Sequence, residues 1–193
     1  MVDSRSMEDR KHSLQRQCIS LKRFQCDGWI LDIGGGGEGI IGKLFGEQVI
    51  SIDPLYEELQ EAAEGPLKIV MDGKDLKFLD NTFNTVTSFF VFMYIKKVDH
   101  EKVFQEVYRV MKPGGDLYIW DVFIPKYDGA GRDIYVMPID IDVEGEQIET
   151  GYGTLWPERE QDIEYIQKLG IETAFKVVEK SVSGDTFYIR FKK

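Results

Sequence analysis

Short, nearly continuous apolar runs alternate along this chain with segments in which apolar residues recur every three or four positions. Runs of the first kind suit buried strands, and segments of the second kind suit helices with one inward face. Trp29–Ile33, Gln48–Ile52, Leu67–Met71, Asn84–Phe92 and Leu117–Ile124 therefore predict five strands. Between them, Gly39–Phe45, Glu57–Ala63 and Glu101–Met111 predict helices, the last capped by Asp99 with Val103, Phe104 and Val107 inward. Gly46, Gly65-Pro66 and Lys112-Pro113-Gly114-Gly115 read as their stops. Strands alternating with helices imply right-handed crossovers and a parallel sheet.

The flanks are less regular. Leu14, Cys18 and Leu21 fall at helical spacing, so Glu8–Phe24 predicts a helix on the sheet edge, ended by Asp27-Gly28. Pro125–Arg132 reads as loop, and Tyr135–Val143 with Gln147–Gly151 as a hairpin across Glu144-Gly145. A helix over Glu158–Leu169 closes at Gly170, and Thr173–Val182 and Thr186–Phe191 form a second hairpin around Ser183-Gly184-Asp185. The segment 125–157, with Ile139, Ile141 and Val143 alternating against Asp140 and Asp142, would close over a ligand and set specificity, build a homodimer arm, or be a plain β-extension.

Composition narrows the class. At 193 residues with 42% hydrophobic content, one globular domain over 1–193 is expected. A net charge of −10 argues against nucleic acid as partner, because neutralising phosphates needs a basic surface. No apolar run approaches the roughly 20 residues of a membrane helix, and the start lacks the apolar core of a signal peptide. Cys18 and Cys26 form no metal-ligand spacing and fit a reducing, cytoplasmic setting; no metal is expected. Met1–Ser6, ahead of Met7, reads as an added or disordered leader.

The chemistry concentrates in Trp29–Ile41, WILDIGGGGEGII. A buried strand turning through glycines into a helix lets backbone approach a ligand closely, and a helix N-terminus welcomes an anion. Gly34, Gly36 and Gly39 satisfy the dinucleotide-type spacing, with Asp53 near the offset of a ribose-binding acid. Asp32 gains nothing beside a diphosphate but would hold an ammonium group. Asp72 ends the third strand, where it could accept from an exocyclic amine. Taken singly, Asp32 reads equally as a turn acid, Asp53 as a helix cap and Asp72 as part of an Asp-Gly turn, and Phe89 and Phe90 as core. Their joint placement at three successive strand ends favours a site.

With LDIGGGG at Leu31–Gly37, Asp53, Met71-Asp72-Gly73 and RVMKPGG at Arg109–Gly115, the chain resembles the class I S-adenosylmethionine-dependent methyltransferases over about Trp29–Val122. The likeness is to their small-molecule branch, which includes the ubiquinone/menaquinone methyltransferases. It implies an α/β, Rossmann-like three-layer sandwich. Its seven-stranded sheet would be mostly parallel with an antiparallel last strand, carrying the β-hairpin insertion after the fifth strand. It implies S-adenosyl-L-methionine as cofactor across the strand ends. The backbone of Gly34, Gly35 and Gly36 would face the methionine part and Asp32 its ammonium. Asp53 would take the ribose hydroxyls, Asp72 and Gly73 the adenine edge, and Phe89 would flank the ligand. Glu38 departs from the family, which usually carries a small residue there; it should repel the cofactor's carboxylate unless it turns outward or reaches the ammonium.

Methyl transfer asks the protein mainly for orientation, with a base only where the acceptor must lose a proton. Asp121, at the end of the fifth strand, is the first candidate base. His100 reads as an exposed first-turn residue and His12 as solvated, while Tyr94, Tyr127, Asp128 and Tyr135 lie in segments that could line an acceptor pocket. The Pro-Pro-Tyr signature of amino-directed methyltransferases is absent after the fourth strand, where Ser88-Phe89-Phe90-Val91 stands. The expected activity is methyl transfer to a small molecule. A non-catalytic cofactor-binding sensor or partner subunit, and a nicotinamide-dependent reductase, are the competing readings.

Overall fold

The computed structural model describes residues 6–193. In chain order the strands and helices are β1 (Lys11–Ser13), β2 (Gln17–Leu21), β3 (Ile30–Ile33), α1 (Ile40–Phe45), β4 (Val49–Asp53), α2 (Tyr56–Glu61), β5 (Leu67–Val70) and β6 (Phe83–Phe89). There follow α3 (His100–Val110), β7 (Met111–Val122), β8 (Ile134–Val143), β9 (Glu146–Leu155), α4 (Ile163–Glu172), β10 (Lys176–Ser183) and β11 (Thr186–Lys192). The main sheet has the order β10-β11-β7-β6-β3-β4-β5. Strands β3 to β7 are mutually parallel, and the last strand, β11, runs antiparallel to both β7 and β10.

The central strands are apolar because both faces are covered. On one face Val103, Phe104 and Val107 of α3 and Ile163, Ile166 and Leu169 of α4 close a core with Val86, Leu117 and Ile119. On the other, Ile40, Ile41 and Leu44 of α1 pack with Ile30 and Val49 and with the buried alternate residues of β8. Three layers result, and the parallel strands end together beside the glycine loop that follows β3.

The N-terminal segment departs from the helix expected over Glu8–Phe24. After a single 3-10 turn at Glu8–Arg10 it is extended, and β1 and β2 pair in parallel with β8, Lys11 against Ile134 and Gln17 against Ile139. The helix reading needs Cys18 inward, yet Cys18 is exposed while Gln17 and Leu21 are buried. The long edge of β8, opposite β9, supplies hydrogen-bond partners that outweigh a local helical period. The expected hairpin β8–β9 therefore sits inside a small second sheet, with Tyr135, Met137, Ile139, Ile141 and Val143 facing the core. Its turn, Glu144-Gly145, has both residues at positive φ, the geometry that matches strand twist. Of the expected leader Met1–Ser6, residues 1–5 lie outside the described residues; the Ser6 hydroxyl donates to Asp9 at 2.7 Å.

α3 ends at Val110, as the stop at Lys112–Gly115 predicts, but β7 starts at once and takes these four residues in as a bulge, since Phe83 pairs with Met111 and Thr85 already with Asp116. Gly170 lies within α4, where the ring of Phe191 occupies the space a side chain would need, a Cβ falling 2.3 Å from its Cε1. The helix ends later, with Ala174 at φ 78° and the N–H groups of Ala174 and Phe175 donating to the carbonyls of Ile171 and Gly170.

Candidate functional site

A cavity of about 760 Å³ opens at the carboxyl ends of the parallel strands. Asp32, Gly34, Gly35, Gly36, Asp53, Asp72, Gly73 and Phe89 all line it. The loop after β3 comes close to its neighbours on every side. Gly34 sits at φ 67° with Val91 against it, and a Cβ on Gly36 would fall 2.6 Å from that of Glu58. The loop's amides are largely spent within the fold. Gly35 and Gly37 donate to the carbonyls of Ile52 (3.0 Å) and Glu58 (2.9 Å), Gly36 donates to the Asp53 carboxylate, and Gly39 to the Gly36 carbonyl.

Asp32 is 2% exposed, and its Oδ1 accepts from the Thr87 hydroxyl at 2.6 Å. Burial pushes its carboxyl from the ordinary 3.8 up to about 7, against the Thr87 hydrogen bond, with the Asp53 charge adding a smaller upward push. Asp53 ends β4, and its Oδ1 accepts from the Leu55 N–H at 2.8 Å; partial burial raises its pKa as well. Asp72 follows β5 in an Asx turn, accepting from the Lys74 N–H at 2.9 Å, while the Lys74 ammonium bridges towards Asp99 at 3.2 Å. Glu58 is raised by desolvation and then by Asp53, Glu61 and Glu38.

Phe89 ends β6, and Phe90 follows at φ 54°, a conformation rare for an aromatic residue and enriched where function demands it. The Phe90 ring stacks on Tyr152 of β9, centroids 5.3 Å apart. Glu38 lines the cavity with its carboxylate directed at β9, where it accepts from the Thr150 hydroxyl and from Tyr152. It thus ties the glycine loop to β9, whose Gly151, Tyr152 and Gly153 form part of the cavity wall. Tyr94 lines the same wall and accepts from the Gly153 N–H. Sequence reasoning missed Tyr152 and Glu58. The signal for Tyr152 was present in Gly-Tyr-Gly inside a strand, a mark of close backbone approach.

Other candidates lie elsewhere. Asp121 is fully buried outside the cavity lining; its carboxylate accepts from the N–H groups of Phe92 (2.9 Å) and Val122 (2.8 Å) and from Gln161 (2.6 Å). His100 is buried rather than exposed, its Nε2 lying 3.1 Å from the carbonyls of both Phe92 and Ile95, and desolvation lowers its pKa to about 4. His12 packs on Tyr135 and Trp156, so it is not a solvated helix residue. Tyr135 is buried and donates to the Phe123 carbonyl, Tyr127 packs on Trp156, and Asp128 accepts from the Ala130 N–H. Among the described residues no cluster of His, Cys, Asp and Glu could hold a metal ion, and no helix is long and apolar enough to cross a membrane.

This fold, with its cavity at the ends of the parallel strands, is that of the class I S-adenosylmethionine-dependent methyltransferases, and S-adenosylmethionine is the cofactor the likeness implies. Residues 31–119 match the family described as Methyltransferase domain. A demethylmenaquinone methyltransferase of Listeria monocytogenes is 32% identical over 111 residues, 54% of this chain and 45% of that protein. A phosphoethanolamine N-methyltransferase of Plasmodium falciparum is 30% identical over 101 residues, 48% of this chain and 38% of that protein. The matches thus span less than half the length of these relatives. Among solved structures, an S-adenosylmethionine-dependent methyltransferase from Methanosarcina mazei superposes with a TM-score of 0.66 at 18% identity, covering 88% of this chain and 94% of that one. One from Mesorhizobium loti gives 0.60 at 13% identity, covering 86% and 90%.

Proposed function

We propose that this chain transfers a methyl group from S-adenosylmethionine to a small-molecule acceptor. The observation that carries the reading is the convergence of Asp32, Asp53 and Asp72, from three successive strand ends, on one cavity walled by the glycine loop. The chemistry of these donors fits the cofactor. Asp32, nearly free of water and with one accepted hydrogen bond, suits an ammonium group. Asp53 keeps lone pairs for two ribose hydroxyls, and Asp72 can accept from an adenine amine. When bound, the cofactor supplies an electrophilic methyl carbon on a positively charged sulfur. The protein's own part is to orient the acceptor against it and exclude water, with the β9 wall and the Phe92–Tyr94 turn as the acceptor side. Relatives similar over about half the chain are named for demethylmenaquinone and for phosphoethanolamine, so the relatives do not fix the acceptor. The setting we assign is the cytoplasm, with no nucleic-acid partner.

The test is binding followed by turnover. Calorimetry with S-adenosylhomocysteine should show one site per chain, and Asp53→Ala should abolish both that heat and the ligand-induced rise in melting temperature. Tighter binding of NADH than of S-adenosylmethionine would refute the reading. Binding without transfer to any acceptor would leave a cofactor sensor instead.

A further inference from the structure

The acceptor side of the cavity has a chemical character of its own. Phe90 and Tyr152 stack there at 27° between planes, and Glu38 is fixed beside Tyr152 by the hydroxyls of Thr150 and Tyr152 itself. A carboxylate held by two hydroxyls still has acceptor sites unused, and aromatic faces attract cations. With Asp32, Asp53 and Asp72 assigned to the cofactor, the remaining acidic lining residues are Glu38, Glu58 and Glu61, and among the described residues no Lys, Arg or His lines the cavity. At the β9 end, an acceptor bearing phosphate or carboxylate would meet the Glu38 charge with no lining cation beside it.

Resting on the methyl-transfer reading above, we propose that the acceptor is a cationic amine, its apolar body against Tyr152, which the buried Phe90 ring backs, and its ammonium on Glu38. The reaction then closes without a further reagent. The ammonium gives one proton to the Glu38 carboxylate, the freed nitrogen lone pair forms the N–C bond, and the breaking C–S bond leaves its electron pair on sulfur as a thioether. The product keeps the positive charge as a methylated ammonium, and Glu38 returns its proton to water.

Three probes of nearly equal shape separate the charges: 2-phenylethylamine, 2-phenylethanol and phenylacetate, titrated by calorimetry into protein saturated with S-adenosylhomocysteine. The expected result is that the amine binds about tenfold or more tightly than the alcohol and that phenylacetate gives no heat. Glu38→Gln, titrated with the same probes at saturating S-adenosylhomocysteine, should remove most of that preference. Tyr152→Leu, which removes both the aromatic face and the hydroxyl on Glu38, should weaken the amine at least about threefold more than the alcohol and serves where Glu38→Gln does not fold; an unchanged preference overturns the proposal. Equal or tighter binding of the alcohol or the acid overturns the proposal, as does absence of binding by all three to the loaded protein. Failure of S-adenosylhomocysteine to bind is a separate result, which removes the methyl-transfer reading beneath it.

Discussion

Asp32→Asn separates what the buried carboxylate does for the ligand from what it costs the fold. The folded chain holds the Asp32 proton up to about pH 7, whereas an ordinary aspartate releases it near 3.8. Between those values the folded state binds the extra proton, so stability falls as pH rises through this window and stays lowered above it. At about 1.4 kcal/mol per pH unit, the gap corresponds to about 4 kcal/mol. Asparagine is isosteric, and its Oδ1 keeps the bond from the Thr87 hydroxyl, so the substitution removes the ionisation and little else. Urea unfolding of the ligand-free protein at pH 5 and pH 8 is the assay. The variant should exceed the wild type by about 1 to 2 kcal/mol at pH 5 and by about 3 to 4 kcal/mol at pH 8. Its affinity for S-adenosylhomocysteine should fall about tenfold or more, because the ammonium loses a charged partner. A variant no more stable than wild type at pH 8, or one that binds the ligand undiminished, would refute the reasoning.

Asp121→Asn combines two opposing effects. Burial raises the Asp121 carboxyl to about 7 as well, an ionisation the amide relieves. The amide also turns one donor towards N–H groups that now meet carboxylate oxygen, costing about 1 to 3 kcal/mol. Its gain in urea unfolding at pH 8 should therefore fall short of that of Asp32→Asn, with S-adenosylhomocysteine affinity unchanged. Gly170→Ala places a methyl carbon 2.3 Å from the Phe191 ring inside the core and should cost about 1 to 3 kcal/mol, read as a lowered urea midpoint at constant slope. Gly36→Ala brings a methyl carbon to 2.6 Å from the Glu58 Cβ and 3.1 Å from the Asp53 carboxylate, so calorimetry should find S-adenosylhomocysteine binding weakened about tenfold or more.

The parallel strands were legible because each is buried on both faces and bounded by its own turn residues, information carried within a few positions. Asp32, Asp53 and Asp72 were legible for the same reason, each standing where an apolar run meets a turn. What failed depends on distant partners. Gln17 is a strand residue because Ile139 lies beside it, and the local pattern of Leu14, Cys18 and Leu21 carries no trace of that. Gly170 reads as a helix stop until the Phe191 ring is seen to need its space.

The same dependence decides which polar residues act on the cavity and which hold it in shape. Asp121 and His100 carry the residue types of a base, yet both are fully buried and hydrogen-bonded to backbone. Asp121 accepts from the Phe92 N–H, and His100 engages the Phe92 and Ile95 carbonyls. Together they grip the start and the end of the Phe92–Tyr94 turn, and that turn sets Tyr94 in the cavity wall. Glu38 shows the converse. Beside a cofactor carboxylate it reads as a fault in the loop, but with Thr150 and Tyr152 as partners it becomes the link between the glycine loop and β9. A titratable side chain takes its role from the element packed against it, and here that element lies 112 positions away in the chain for Glu38, 29 for Asp121 and only 8 for His100.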